Sequence, residues 1–162
     1  MTEFWDLVDK DGNPVGVKWE RCNRDKIPEG LYHPCVEVWV KVGERVLLTQ
    51  RHPDKSEGLK YDAPGGAVLS GESIPVGAIR ELFEESGIKA NVEDLKLLGT
   101  VTGKVAYAVS YLLVLDELPM LALQPTEVVG YKLVSKAELE AMAEELCDGC
   151  YRRYLIFKDK IF

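Results

Sequence analysis

A glycine-rich loop running straight into a short amphipathic helix constrains this chain more than any other stretch. It spans Gly65 to Ile88, reading GGAVLSGESIPVGAIRELFEESGI. Ser73 is placed to cap a helix, Pro75 falls in the first turn where its missing N–H is tolerated, and Gly87 is placed to end the helix as C′. Ala78, Ile79, Leu82 and Phe83 recur at helical spacing and predict an apolar face. Glu81, Glu84 and Glu85 stand at i, i+3 and i+4, so the spacing predicts three carboxylates on a different face.

Those carboxylates make the segment a poorer helix. Like charges at i,i+3 and i,i+4 each cost roughly 0.2–0.5 kcal/mol. Glu84 and Glu85 also fall in the last turn, where the helix dipole favours cations, at about 0.3–1 kcal/mol each when exposed. Arg80 can pair with Glu84, though in the weaker orientation with the base N-terminal to the acid. The net penalty is on the order of 1–2 kcal/mol, and a bound cation would remove it. Oxygen-only ligands suit Mg²⁺ or Mn²⁺ rather than zinc.

The whole segment resembles the Nudix box, G-x5-E-x7-R-E-U-x-E-E-x-G-U, with U aliphatic. Gly66, Glu72, Arg80, Glu81, Leu82, Glu84, Glu85, Gly87 and Ile88 fill every position of that pattern. The alternative, a Glu-rich face that is simply solvated, is the ordinary reading of three acids on a helix. The complete pattern sets it aside here.

Composition limits the partners. At 162 residues the chain fits one domain, 1–162, with a substantial core. A net charge of −7 argues against nucleic-acid or anionic-membrane affinity, both of which rely on basic surface. No apolar run approaches a membrane span and the N-terminus lacks the regions of a signal peptide, so a cytoplasmic location is expected. Cys22, Cys35, Cys147 and Cys150 do not read as a disulfide framework, and Cys147-Asp148-Gly149-Cys150 is a lone CxxC without a second ligand pair. These thiols are expected to be reduced and non-catalytic.

In chain order, residues 4–8 and 15–19 flank the turn-rich Asp9–Pro14 and predict a hairpin within an N-terminal extension, 1–34. Val36, Val38 and Val40 alternate with Glu37, Trp39 and Lys41, which predicts a strand with two distinct faces. Val46–Gln50 reads as a second strand paired with it, and a polar loop over 53–63 leads to the box at 65–88. Residues 97–102 and 105–115 read as two strands turning near Gly103-Lys104, the second of them central. A short strand is expected at 131–134, then a helix from Ser135 to about Leu146 opened by a capping box, Ser135 with Glu138. An amphipathic segment at 150–157 is expected to be helical. Together these predict an α/β fold, an α/β/α sandwich around a mixed sheet with an N-terminal hairpin, as the Nudix resemblance implies.

The resemblance also implies an activity: Mg²⁺-dependent hydrolysis of the diphosphate linkage in a nucleoside diphosphate derivative, by attack of water on phosphorus. Carried residue by residue, Glu84 and Glu85 would be the main metal ligands. Glu81 would be a third ligand or the base that orients water, and the Gly65 carbonyl a backbone ligand. Arg80 would hold a glutamate in place, and Glu72 would brace the loop. Glu127 resembles a position where some members place a further ligand or the general base, against the plain reading of an exposed glutamate. Arg51, at a strand end just before the box, is placed to contact a phosphate. His33 reads as a hydrogen-bonded structural histidine, with a ligand role as the alternative. A homodimer is common in the family.

Two other functions are open to the sequence. A non-enzymatic nucleotide-sensing module would be expected to carry a degraded box, and this box is intact. The N-terminal extension and the segment Gly30-Leu31-Tyr32-His33-Pro34 are similar to isopentenyl-diphosphate isomerases of the same fold. Those enzymes need a cysteine and a histidine where this chain has Gly65 and Ala67, which disfavours isomerisation.

Overall fold

The computed structural model describes residues 1–162. An antiparallel hairpin comes first, β1 (Phe4–Val8) and β2 (Pro14–Glu20), with Asp9 accepting from the backbone N–H groups of Asp11 and Asn13 in the turn. A 3₁₀ stretch, Arg21–Lys26, leads into β3 (His33–Val42) and β4 (Arg45–Arg51). Two short strands follow, β5 (Tyr61–Asp62) and β6 (Gly65–Ala67), then helix α1 (Ile74–Ser86). The chain continues through β7 (Lys96–Thr102), β8 (Ala106–Leu115), β9 (Val128–Ser135), α2 (Lys136–Ala141) and α3 (Asp148–Ile161).

The main sheet is mixed. β3 runs parallel to β8 along its whole length, from His33 beside Ala106 to Val42 beside Leu115, and β7 completes that edge antiparallel to β8. β3 and β4 form the expected antiparallel pair only at their turn, where Lys41 faces Val46 and Val42 faces Arg45. They then part. β6 takes over beside β3, β5 takes over beside β4, and β9 pairs with the other edge of β4 from Arg45 to Arg51.

The alternation in β3 does sort its side chains onto two faces, but both faces are buried. Val38 and Val40 pack with Leu47, Val109, Leu113 and the α1 residues Ala78 and Leu82. Trp39, on the opposite face, packs with Leu48, Leu112 and the α3 residues Tyr154 and Phe157. A helix layer on each side of the sheet makes the α/β/α sandwich. The hairpin adds a small core of its own around Trp5, Leu7 and Ile27. No helix is long and apolar enough to cross a membrane.

Three boundaries differ from the sequence reading. β9 begins at Val128, earlier than the expected 131, because β4 supplies a partner along its whole length. The helix after Ser135 stops at Ala141 and gives way to a 3₁₀ turn at Ala143–Glu145. Leu146 then pairs with Tyr61 and the Cys147 N–H donates to the Tyr61 carbonyl at 2.9 Å, so burial of Leu146 breaks the run. The final helix extends beyond 150–157 at both ends, since Ile161 is as buried as Tyr154.

Candidate active site

Helix α1 starts after Ser73 in extended conformation, carries Pro75 in its first turn, and ends at Gly87 with φ +75°, where the Gly87 N–H donates to the Phe83 carbonyl. That left-handed turn suits glycine. The buried face of the helix is Gly77, Ala78, Leu82, Glu85 and Ser86. Phe83, expected among the apolar contacts, is 49% exposed. Glu85, expected on a separate face, follows Ala78 and Leu82 at i+7 and i+3, so it is carried down onto the packed side.

The loop and helix are held together by Arg80. Its Nε donates to Glu72 Oε1 at 2.6 Å, and one terminal nitrogen donates to Glu72 Oε2 at 3.0 Å and to the Ala67 carbonyl at 2.9 Å. The other donates to Glu81 Oε1 at 2.9 Å and to Glu84 Oε2 at 3.2 Å. A guanidinium has five N–H groups, and these five contacts use the full set. Glu72 also accepts from the Leu69 N–H at 2.9 Å and so braces the loop. Burial works against ionisation of Glu72, but Arg80 and the Leu69 N–H outweigh it and hold the carboxyl below its usual range.

Glu81, Glu84 and Glu85 meet Gly65, Gly66, Lys55 and Glu127 around a cavity of about 240 Å³. β6 runs so close to α1 that a Cβ on Gly66 would lie 2.5 Å from the Glu81 carboxyl carbon. Any side chain at that position would push the Glu81 carboxylate out of place. Glu85 is 7% exposed and accepts from the Gly65 N–H at 3.1 Å. Burial pushes its carboxyl up to about 8, with the Asp62 and Glu81 carboxylates adding to the rise and the Gly65 N–H and Lys55 opposing it. Burial raises Glu81 too, against Arg80. A site that crowds carboxylates out of water in this way is short of positive charge.

The sequence-predicted residues divide between two places. Glu81, Glu84, Glu85, Gly65, Arg80 and Glu127 all line this cavity. Arg51 does not. Its Nε donates to the Ser56 carbonyl at 2.9 Å, it stands 3.6 Å from Asp62, and it lines a neighbouring cavity. Besides Arg80, the cavity is lined by Arg21 and by Lys55, which pairs with Glu127. Lys55 lies in a polar loop with no periodicity, and nothing in the sequence distinguishes it from Lys60. The loop is pinned where the His52 N–H donates to the Glu127 carbonyl at 2.8 Å, which sets Lys55 beside Glu127.

His33 is 6% exposed, stacked on Trp5 with ring centroids 4.1 Å apart, and its Nε2 accepts from Arg24 Nε at 3.3 Å. Burial, together with the Arg24 guanidinium, lowers its pKa to about 4, so it is a neutral structural histidine. All four cysteines are free. Burial pushes the Cys35 thiol up to about 11 and the Cys147 thiol up to about 12, and raises Cys150 as well. Thiols so held are poor nucleophiles.

Residues 31–153 match a family model described as NUDIX domain. Over 61 residues, 38% of each chain, the sequence is 33% identical to an RNA pyrophosphohydrolase of Novosphingobium aromaticivorans, so the chain spans about two fifths of that relative's length. It is 28% identical over 144 residues to an uncharacterized Nudix hydrolase of Listeria monocytogenes, covering 86% of this chain and 84% of that one. Among solved structures, the Deinococcus radiodurans protein DR0079 superposes with a TM-score of 0.73 at 23% identity, over 93% of this chain and 98% of the other. That likeness is one of fold.

Proposed function

The chain belongs to the NUDIX domain family, and from that premise we propose that it is a Mg²⁺-dependent hydrolase that splits the diphosphate linkage of a nucleoside diphosphate derivative. The observation that carries this reading is Glu85, a carboxylate buried beside Glu81 whose hydrogen bond comes from one backbone N–H. Its surroundings fit a hard divalent cation, because every donor at hand is oxygen. Glu81, Glu84, Glu85 and the Gly65 carbonyl would hold Mg²⁺, or Mn²⁺ in its place. A divalent ion there supplies neutralisation of phosphate charge and of the departing oxygen.

The chain's own groups do the rest. Arg80 fixes Glu81 and Glu84 in their rotamers by charge-assisted bonds and ties them to the loop through Glu72. Lys55 offers an ammonium to the incoming phosphate, which draws it away from Glu127. Glu127, so released, accepts the proton of the attacking water. The water oxygen bonds to phosphorus, the bridging P–O bond breaks, and the leaving phosphate keeps that oxygen. The net charge of −7 favours a small diphosphate over nucleic acid as the partner.

The test is a release assay with Mg²⁺ or Mn²⁺ across nucleoside triphosphates, nucleotide sugars, dinucleotides and nonnucleotide diphosphates. At least one should be hydrolysed, and chelator should return it to background. Activity that survives chelator, or that is unchanged in Glu85→Gln, overturns the reading.

A further inference from the structure

The loop that opens α1 is held from outside as well as from within. Leu69 to Glu72 form a turn, closed where the Glu72 N–H donates to the Leu69 carbonyl at 3.0 Å, with Gly71 in the left-handed region at φ +87°. That turn leaves the N–H groups of Ser70 and Gly71 to find partners elsewhere. β1 supplies both. The Ser70 N–H donates to the Phe4 carbonyl at 2.8 Å, and the Gly71 N–H donates to Asp6 Oδ2 at 2.8 Å. The Ser70 hydroxyl donates to the other carboxylate oxygen, Asp6 Oδ1, also at 2.8 Å. Three bonds from two adjacent residues thus tie the turn to one strand.

The strand that holds it is itself anchored. Trp5 and Leu7 are buried in the hairpin's own core with Ile27, and Trp5 stacks on His33 at the head of β3. Val8 exchanges backbone hydrogen bonds with Tyr32. Alternation along β1 turns Asp6 away from Trp5 and Leu7 and onto the loop. The residues at the two ends of the hairpin, Glu3 and Arg21, pair with each other and line the carboxylate cavity. Asp6 nonetheless lies outside the box pattern and ahead of residues 31–153, the stretch matched to the family.

The turn matters to the site because Glu72 is its last residue. Glu72 takes the Arg80 fork, and Arg80 in turn holds Glu81 and Glu84. A displaced turn therefore reaches the carboxylates through one guanidinium. We infer that Asp6 is a positioning residue: by clamping Ser70 and Gly71 it sets where Glu72 holds Arg80, and through Arg80 it orders the cation site. The hairpin is then a working part of that site. The inference rests on the reading of Glu81, Glu84 and Glu85 as cation ligands. Asparagine separates the clamp from the charge. Its Oδ1 can accept from the Gly71 N–H while its amide donates to the Ser70 hydroxyl, which serves either way. Alanine can do neither.

The experiment titrates Mn²⁺ into the whole chain and follows backbone amide exchange in chelator, both well below the melting temperature. Asp6→Ala should weaken Mn²⁺ binding about tenfold, as loss of the support behind metal ligands does. It should also speed exchange of the Leu69 amide, which Glu72 holds at 2.9 Å. Asp6→Asn should keep both near wild type. Ser70→Ala removes one of the bonds to Asp6 and should weaken Mn²⁺ about threefold; it carries the test if Asp6→Ala does not fold. Combined with Glu72→Gln, Asp6→Ala should add little further loss, because the link from turn to Arg80 is already weakened. Affinities unchanged in Asp6→Ala and Ser70→Ala, lost equally in Asp6→Asn, or lost additively with Glu72→Gln overturn the inference and spare the hydrolase reading. A wild type that binds no Mn²⁺ overturns the cation reading, and Leu69 exchange then decides the clamp by itself: faster in Asp6→Ala upholds it, unchanged overturns it.

Discussion

Arg80→Lys tests whether one guanidinium assembles the site. Lysine keeps the charge but offers three N–H groups from a single point, where arginine spans a fork. It cannot reach Glu72 on the loop, the Ala67 carbonyl and Glu81 on the helix together. The fork to Glu72, with side chains 22% and 18% exposed, is the largest loss. Hydrogen bonds to charged groups are worth about 1.5–3 kcal/mol, and partial exposure brings the two-bond fork to about 2 kcal/mol. The Ala67 bond adds about 1 kcal/mol, and the half-exposed Glu84 pair about 0.3–0.5. A total of roughly 3 kcal/mol lowers Tm by about 6–12 °C in a domain of this size. The assay is a thermal melt in chelator, so that cation binding does not mask the difference. A double-mutant cycle with Glu72→Gln should return a coupling energy of about 2 kcal/mol. A variant that melts within 2 °C of wild type, or a coupling near zero, would show that the loop is held by something else.

Three further outcomes follow from other parts of the molecule. Glu84→Gln and Glu85→Gln should melt no lower than wild type in chelator yet lose most of the stabilisation by Mg²⁺, which for wild type reaches about 2.7 kcal/mol at a hundredfold excess over Kd; a melt well below wild type in chelator would make these carboxylates structural. Lys55→Ala should raise KM for the diphosphate about tenfold in the release assay, and an unchanged KM would remove Lys55 from the phosphate. His33, neutral when folded with a pKa near 4 against 6.5, binds its proton more readily in the unfolded chain. Stability is therefore kept above pH 6.5 and falls by up to about 3 kcal/mol as pH drops to 4; denaturant melts of wild type and His33→Gln at both pH values should converge toward acid, and parallel curves would contradict it.

The sequence carried what is decided locally. A proline and a glycine bound α1, though Ser73 takes the extended N-cap conformation without a side-chain capping bond, and the spacing of nine residues identified the box, because both are features along a few turns of one chain. The capping box at Ser135 and Glu138 was legible for the same reason. Pairings across the fold were not. Nothing near Val38 says that β3 will lie parallel to β8, or that β4 will leave it after two residues for β5 while β9 runs along the other edge. For this reason Arg51 lines the neighbouring cavity while Lys55 lines the one with the glutamates. The strand end nearest the box in sequence turns toward Asp62 and Ser56, and the loop beyond it returns to meet Glu127.

The position of Glu85 ties the site to the fold more closely than periodicity alone could suggest. A carboxylate on the solvent side of α1 would bind a cation weakly and affect stability little, as exposed charges do. Here Ala78 and Leu82, both without exposed surface, set the packed face of the helix, and that face includes Glu85. Removing the carboxylate from water raises the energy of its charged form and strengthens its attraction for any cation that enters. Lys55 meets part of that demand from one side, while its own burial lowers the ammonium pKa. The site is thus short of positive charge, a state the protein tolerates because the rest of α1 packs well. Truncating Leu82 to alanine, far from any phosphate, would cost about 2–5 kcal/mol of stability. It would also loosen Glu85 and weaken cation binding with it.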